Sequence, residues 1–175
     1  MKKLSIVFIL IFLMAGCASN RVKLLEPDAY TAEPVTEQLY SFQISFGDNN
    51  FECLSMVTLN SQQIEIYLFN QMAFDLGSLY YDGNELSFDS DFLPPSFDAA
   101  YIVSDIQNIF YDEQKLAQSC KKQGLSFTQV NSKGGFTRTI SNKNGIIESI
   151  VKQENTITLK NSLRGYEYIL TRVED

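Results

Sequence analysis

From Leu39 onward, apolar and polar residues alternate. Tyr40, Phe42, Ile44 and Phe46 fall on one side, and Ser41, Gln43 and Ser45 on the other. A period of two marks a strand with one buried face. Gly47-Asp48-Asn49-Asn50 makes a turn. The pattern then predicts strands over 51–59, 63–69, 74–81 and 85–90, with Asp82-Gly83-Asn84 as the hairpin signal before the last.

The period breaks at Phe92-Leu93-Pro94-Pro95-Ser96. Adjacent prolines disfavour helix before them. Ser96 can cap a helix, and Asp98 suits its positive end. Phe97, Tyr101, Ile102, Asp105, Ile106, Ile109 and Phe110 then fall at helical spacing, predicting a helix over 97–110. Asp112 resembles a second cap, opening a short polar helix over 113–123 that ends at Gly124. Strands resume over 125–131, 136–141, 146–152, 156–161 and 166–173, with Asn144-Gly145 as a strong hairpin signal.

The expected fold is mainly β, of the α+β kind. Two groups of about five strands flank a helical insertion, and sequential hairpins predict one antiparallel meander. So many strands seldom stay flat, so the sheet should curl into an incomplete β-barrel. The helix, apolar on a broad stripe, should lid the concave side. The hollow beneath it should stay partly vacant.

The first residues have a different character. Lys2 and Lys3 precede an unbroken apolar run over residues 6–14, then Met14-Ala15-Gly16-Cys17. This is the build of a secretory signal. The run is far short of the about 20 residues that a membrane-spanning helix needs. Ending on cysteine, it reads as a bacterial lipoprotein signal over 1–16, with Cys17 receiving the lipid. An ordinary signal with a chance cysteine is the blander reading. Residues 17–36, with Pro27, Pro34 and no lasting period, read as a lipidated tether, leaving 37–175 as one domain. Lipoproteins kept in the inner membrane resemble one another in having Asp after the cysteine. Ala18 therefore implies the outer membrane, on its periplasmic face.

Charge narrows the partners. The formal charge is −7, or −9 once Lys2 and Lys3 are set aside. That disfavours nucleic acid, which needs a basic face, and broad adhesion to anionic lipid heads. Membrane attachment should come from acyl chains on Cys17.

The residue inventory excludes several chemistries. The chain has no histidine, so a Ser-His-Asp device and histidine metal sites are ruled out. Gly134-Gly135 lacks the lysine and helix of a phosphate loop. Asp89, Asp91 and Asp98 suit turns and helix ends better than calcium, which takes six or more oxygens. No enzyme, metal or cofactor is expected. Asp105 shares the helix's apolar stripe. It is either a polar contact in a ligand cavity or, preferably, a tie from helix to strand. Cys53 and Cys120 are either a disulfide or two separate buried thiols. Aromatic residues, 13% of the chain, suit both an ordinary β core and an acyl or polyene ligand.

The layout resembles the LolA/LolB superfamily of periplasmic lipoprotein carriers. More closely, it resembles a family of small outer-membrane lipoproteins often encoded beside genes for aryl polyene lipids. Leu93-Pro94-Pro95 through Tyr101-Ile102-Val103-Ser104-Asp105-Ile106-Gln107 carries that likeness, as does Leu163-Arg164-Gly165-Tyr166-Glu167-Tyr168. The resemblance implies an incomplete barrel with an apolar cavity for acyl chains. It also implies a projecting apolar loop, for which Met72 or Phe74 in Asn70-Gln71-Met72-Ala73-Phe74 is the candidate. The expected role is to bind or transfer lipids, aryl-polyene-type lipids or lipoproteins. Phe42, Ile44, Ile66, Leu68, Ile106 and Phe110 are the candidate lining. The other expectation is an envelope interaction module with no lipid ligand.

Overall fold

A computed structural model of the chain describes residues 23–27, 34–90 and 98–174. Cys17, Ala18, Asp91 and the Pro94-Pro95 step lie outside them. The first five strands are β1 (Val35–Phe46), β2 (Asn49–Leu59), β3 (Ile64–Phe69), β4 (Asp75–Tyr81) and β5 (Leu86–Asp89). Two helices follow, α1 (Ala99–Phe110) and α2 (Glu113–Lys122). The chain closes with β6 (Ser126–Ser132), β7 (Gly135–Asn142), β8 (Gly145–Gln153), β9 (Thr156–Asn161) and β10 (Tyr166–Arg172). The expected elements are all present, with ends within a few residues of their predicted places.

The strands form one curled, unclosed antiparallel sheet in the order β5-β4-β3-β2-β1-β10-β9-β8-β7-β6. The predicted single meander needs correcting. There are two meanders, joined where the first strand pairs with the last, Tyr40 opposite Arg172 through Phe46 opposite Tyr166. That pairing is non-local, so hairpin spacing carried no sign of it. It makes β5 and β6, neighbours along the chain, the two edges of the sheet. The helices connect those edges. α1 packs on β5 and β9, and α2 on β6. The result is an incomplete barrel lidded by helix.

Alternation decides which face turns inward. Tyr40, Phe42 and Ile44 of β1 are buried, as are Val57 and Leu59 of β2, Ile64, Ile66 and Leu68 of β3, and Tyr166, Tyr168 and Leu170 of β10. They join one core with Ile102, Val103, Ile106 and Ile109 of α1. Leu159, at the centre of β9, has no exposed surface.

Helix ends follow their local chemistry. Asp98, rather than the expected Ser96, is the N-cap of α1, and its carboxylate accepts from the Ala100 N–H at 2.9 Å. Asp112 caps α2 as expected, accepting from Gln114 and Lys115 N–H. Glu113 in the first turn and Lys121 and Lys122 in the last complement the α2 dipole. Gly124, at φ +71°, takes the left-handed conformation that ends it.

The expected tether of 17–36 is corrected at both described places. Val35 and Thr36 already belong to β1. Residues 23–27 lie docked on the fold, with Leu25 half-buried and packed against the core.

Leu159→Ala should cost about 2–5 kcal/mol, the range for a buried leucine whose site cannot collapse. Urea unfolding monitored by circular dichroism checks this.

Candidate functional site

Two regions flank α1. The first is an apolar hollow between α1 and the concave face of the sheet. Strand alternation turns Phe42, Ile44, Ile66 and Leu68 into it, and helical spacing adds Ile102 and Ile106. Tyr168, Leu170 and Leu79 complete much of the wall. Five of the six predicted lining residues therefore meet in one place. Phe110 does not. It lies past the end of the hollow in an outer cleft with Tyr40, their rings edge to face at 6.3 Å. The expected vacancy is corrected too. The hollow holds about 30 Å³, room for about a water molecule and not for a hydrocarbon tail. The apolar face of α1 fills it.

The second region is a cavity of about 320 Å³ with a mixed polar and apolar wall, on another side of α1. Its wall includes Asp105 and Asn108 of α1, Glu148 of β8, Asn161 of β9 and Arg164. Asp105 and Glu148 are 2% and 4% exposed. The Tyr166 hydroxyl donates to Asp105 Oδ2 at 2.7 Å. Asn108 Nδ2 donates to Glu148 Oε1 at 3.1 Å, and the Asp105 and Glu148 carboxyl groups are near enough to act on each other's protonation. Asn161 Nδ2 donates to the Tyr166 oxygen at 3.2 Å. This latch ties α1 to β8, β9 and β10. Asp105 is thus a tie between helix and strand, the preferred of its two readings.

Burial governs the protons of the latch. Desolvation pushes the Asp105 carboxyl up to about 7, against the hydrogen bond from Tyr166. Glu148 rises well above the ordinary range through desolvation and then the neighbouring Asp105 charge. Two neighbouring carboxyls so deeply buried hold a proton between them near neutral pH. Burial and the same acids raise the Tyr166 and Tyr168 phenols, which stay protonated.

Two more ties hold α1. Gln107, 2% exposed, clasps the N-terminal segment in both directions. Its Nε2 donates to the Leu25 carbonyl at 2.7 Å, and the Leu25 N–H donates to its Oε1 at 3.0 Å. The Tyr81 hydroxyl reaches the same carbonyl at 3.2 Å. At the other end, Arg138 of β7 donates from one terminal nitrogen to the carbonyls of Asn108 and Ile109, at 2.7 and 2.9 Å. Its Nε bonds Gln129 Oε1 at 2.7 Å, and its guanidinium lies over the Phe136 ring. A buried cation there satisfies carbonyls that a helix leaves open and complements the helix dipole. Burial lowers its pKa to about 10, so it stays charged.

Arg138 and Glu148 were missed in the sequence. Their signal was a charge at an inward step of an alternating strand. Arg138 lies between Phe136 and Ile140, and Glu148 two places before Ile150.

The loop candidates stand out in the β3–β4 turn. Met72 is 73% and Phe74 62% exposed. The turn is built rather than loose. Asn70 Oδ1 accepts from both the Met72 and Phe74 N–H groups, at 2.9 and 3.0 Å, an Asx-type closure. Asp89 lies in β5 and Asp98 caps α1, so those acids form no shared site.

The disulfide reading is corrected. Cys53 and Cys120 are both free and buried. Cys53 sits on β2 and Cys120 on α2, which packs on the edge strand β6, six places from β2 in the sheet. Burial raises both thiols, to about 12 and about 11. They pack as small apolar groups.

A helix-lidded incomplete barrel with a filled apolar hollow and a buried polar latch is therefore the class of structure. The chain belongs to the family described as "Protein of unknown function (DUF3261)", whose profile matches residues 37–174. No curated protein matches the chain.

Two predictions follow from the buried groups. Folding holds the Asp105 proton more tightly than the unfolded chain does. Its contribution to stability should be full below about 4 and lost as pH rises through about 7. Asp105→Asn cannot ionise, and should flatten the fall in unfolding free energy between those values, measured by denaturant titration at each pH. Cys53 and Cys120 should resist alkylation in the native protein at neutral pH and react quickly in urea, as counted by mass spectrometry.

Proposed function

We propose that this protein binds acyl chains between α1 and the concave face of the sheet, without catalysis, while anchored through Cys17 to the outer membrane. The observation that carries this is the construction of the hollow. Its wall is almost wholly apolar, and the cover over it is a helix held by side-chain ties rather than strand pairing. In the closed form α1 itself occupies the place of a ligand, through Ile102 and Ile106. An acyl chain enters by displacing that face. Each Å² of apolar surface it buries contributes about 25 cal/mol, offsetting the contacts α1 gives up.

The exposed Met72 and Phe74 suit a membrane-facing role beside this groove. Two apolar side chains on a braced turn enter a lipid interface at little cost in ordering. Suitable ligands are lipids, aryl-polyene-type lipids or the acyl chains of other lipoproteins. A second reading, an envelope interaction module with no lipid inside, draws support from the nearly filled hollow.

Delipidated full chain carrying Cys17→Ser, which has no anchor of its own to compete, discriminates the two. Labelled palmitate should bind, and hydrogen exchange at α1 amides should quicken when it does. Neither binding nor a change in protection would leave the interaction module as the better reading.

A further inference from the structure

The inner face of β2 carries a hydroxyl that its surroundings do not use. Ser55 is 2% exposed. Among the described residues its Oγ is buried with no hydrogen-bond partner. The other buried polar side chains behave differently: Asp105, Gln107, Arg138, Glu148 and Asn161 all have partners. Ser55 lies opposite Tyr40 on β1 and Leu68 on β3, and it lines the apolar hollow.

A serine here has a cost. Alternation along β2 puts Cys53, Val57 and Leu59 on the same face, so an apolar residue would fit the pattern. A buried hydroxyl left without a partner destabilises the fold, and such groups are uncommon. Bound water answers the need poorly. It wants two to four polar partners, and of the other side chains lining the hollow only Tyr168 is polar. A carbonyl oxygen attached to a hydrocarbon answers it well. The serine O–H donates to that oxygen, and the same wall takes the chain.

We infer that Ser55 is the polar anchor of the hollow, donating a hydrogen bond to the carbonyl oxygen of a bound acyl compound and so setting preference for acyl chains over plain hydrocarbon. This rests on the acyl-binding reading and narrows its ligand class. The carbonyl is common to free fatty acids and to acyl esters, so both belong in the test.

The full chain carrying Cys17→Ser is compared with the same chain also carrying Ser55→Ala. Competition against a fluorescent fatty-acid analogue is measured for palmitate, methyl palmitate and hexadecane, together with thermal unfolding. The expected result is weaker binding of methyl palmitate and palmitate to Ser55→Ala, by about tenfold, the scale of one lost hydrogen bond. The analogue's own affinity is measured on each chain to convert the competition curves, and hexadecane, which has no carbonyl, serves as the reference and should not change. Thermal stability should hold or rise, because the removed hydroxyl had no partner. Unchanged ester affinity, an equal loss for hexadecane, or a lowered melting temperature would each overturn the anchor while leaving acyl binding intact. Failure of the Ser55-containing chain to bind all three probes would instead remove the acyl reading itself.

Discussion

Pairing of β1 with β10 forces the rest of the structure into place. It joins two five-stranded meanders through the middle and leaves β5 and β6 as edges. The sheet curls with one apolar face inward, and that face must be covered. The covering element is the chain that runs from one edge to the other. α1 meets the concave face and α2 shields the β6 edge. Hydrogen bonds to the latch and to Arg138 then fix where the cover sits.

The cover is held in two different ways. On the sheet side, Ile102 and Ile106 contribute apolar burial, which is strong but not directional. On the other sides, Asp105, Gln107 and the carbonyls of Asn108 and Ile109 make directional bonds to Tyr166, Leu25 and Arg138. Directional bonds specify one position of the helix. They also cost more when broken without replacement, because the groups involved are buried.

The polar latch and the apolar hollow lie on separate sides of one helix, and Tyr168 connects them. Its ring walls the hollow and stacks on Tyr166 at 4.8 Å, and Tyr166 bonds Asp105. A shift of α1 is therefore felt by the buried carboxyls. Their shared proton depends on burial, so the protonation of the latch is tied to the position of α1 by ordinary desolvation.

The sequence by itself determined the elements and their inward faces. Period two and hairpin turns are local, so strands, helices and five of six lining residues, Phe42, Ile44, Ile66, Leu68 and Ile106, were legible from it. Asp105 as a tie was also legible, since an acid on an apolar stripe needs a partner. Tertiary structure alone decided which strand completes the sheet, that Phe110 lies beyond the hollow, that Leu25 is docked, and that Cys53 and Cys120 stay apart. It also decided which groups Glu148 and Arg138 bond, and that the Ser55 hydroxyl meets no partner among the described residues. Each of these depends on contacts between residues far apart in the chain, whose positions follow from how the sheet curls and what packs against it, and neither leaves a periodic trace.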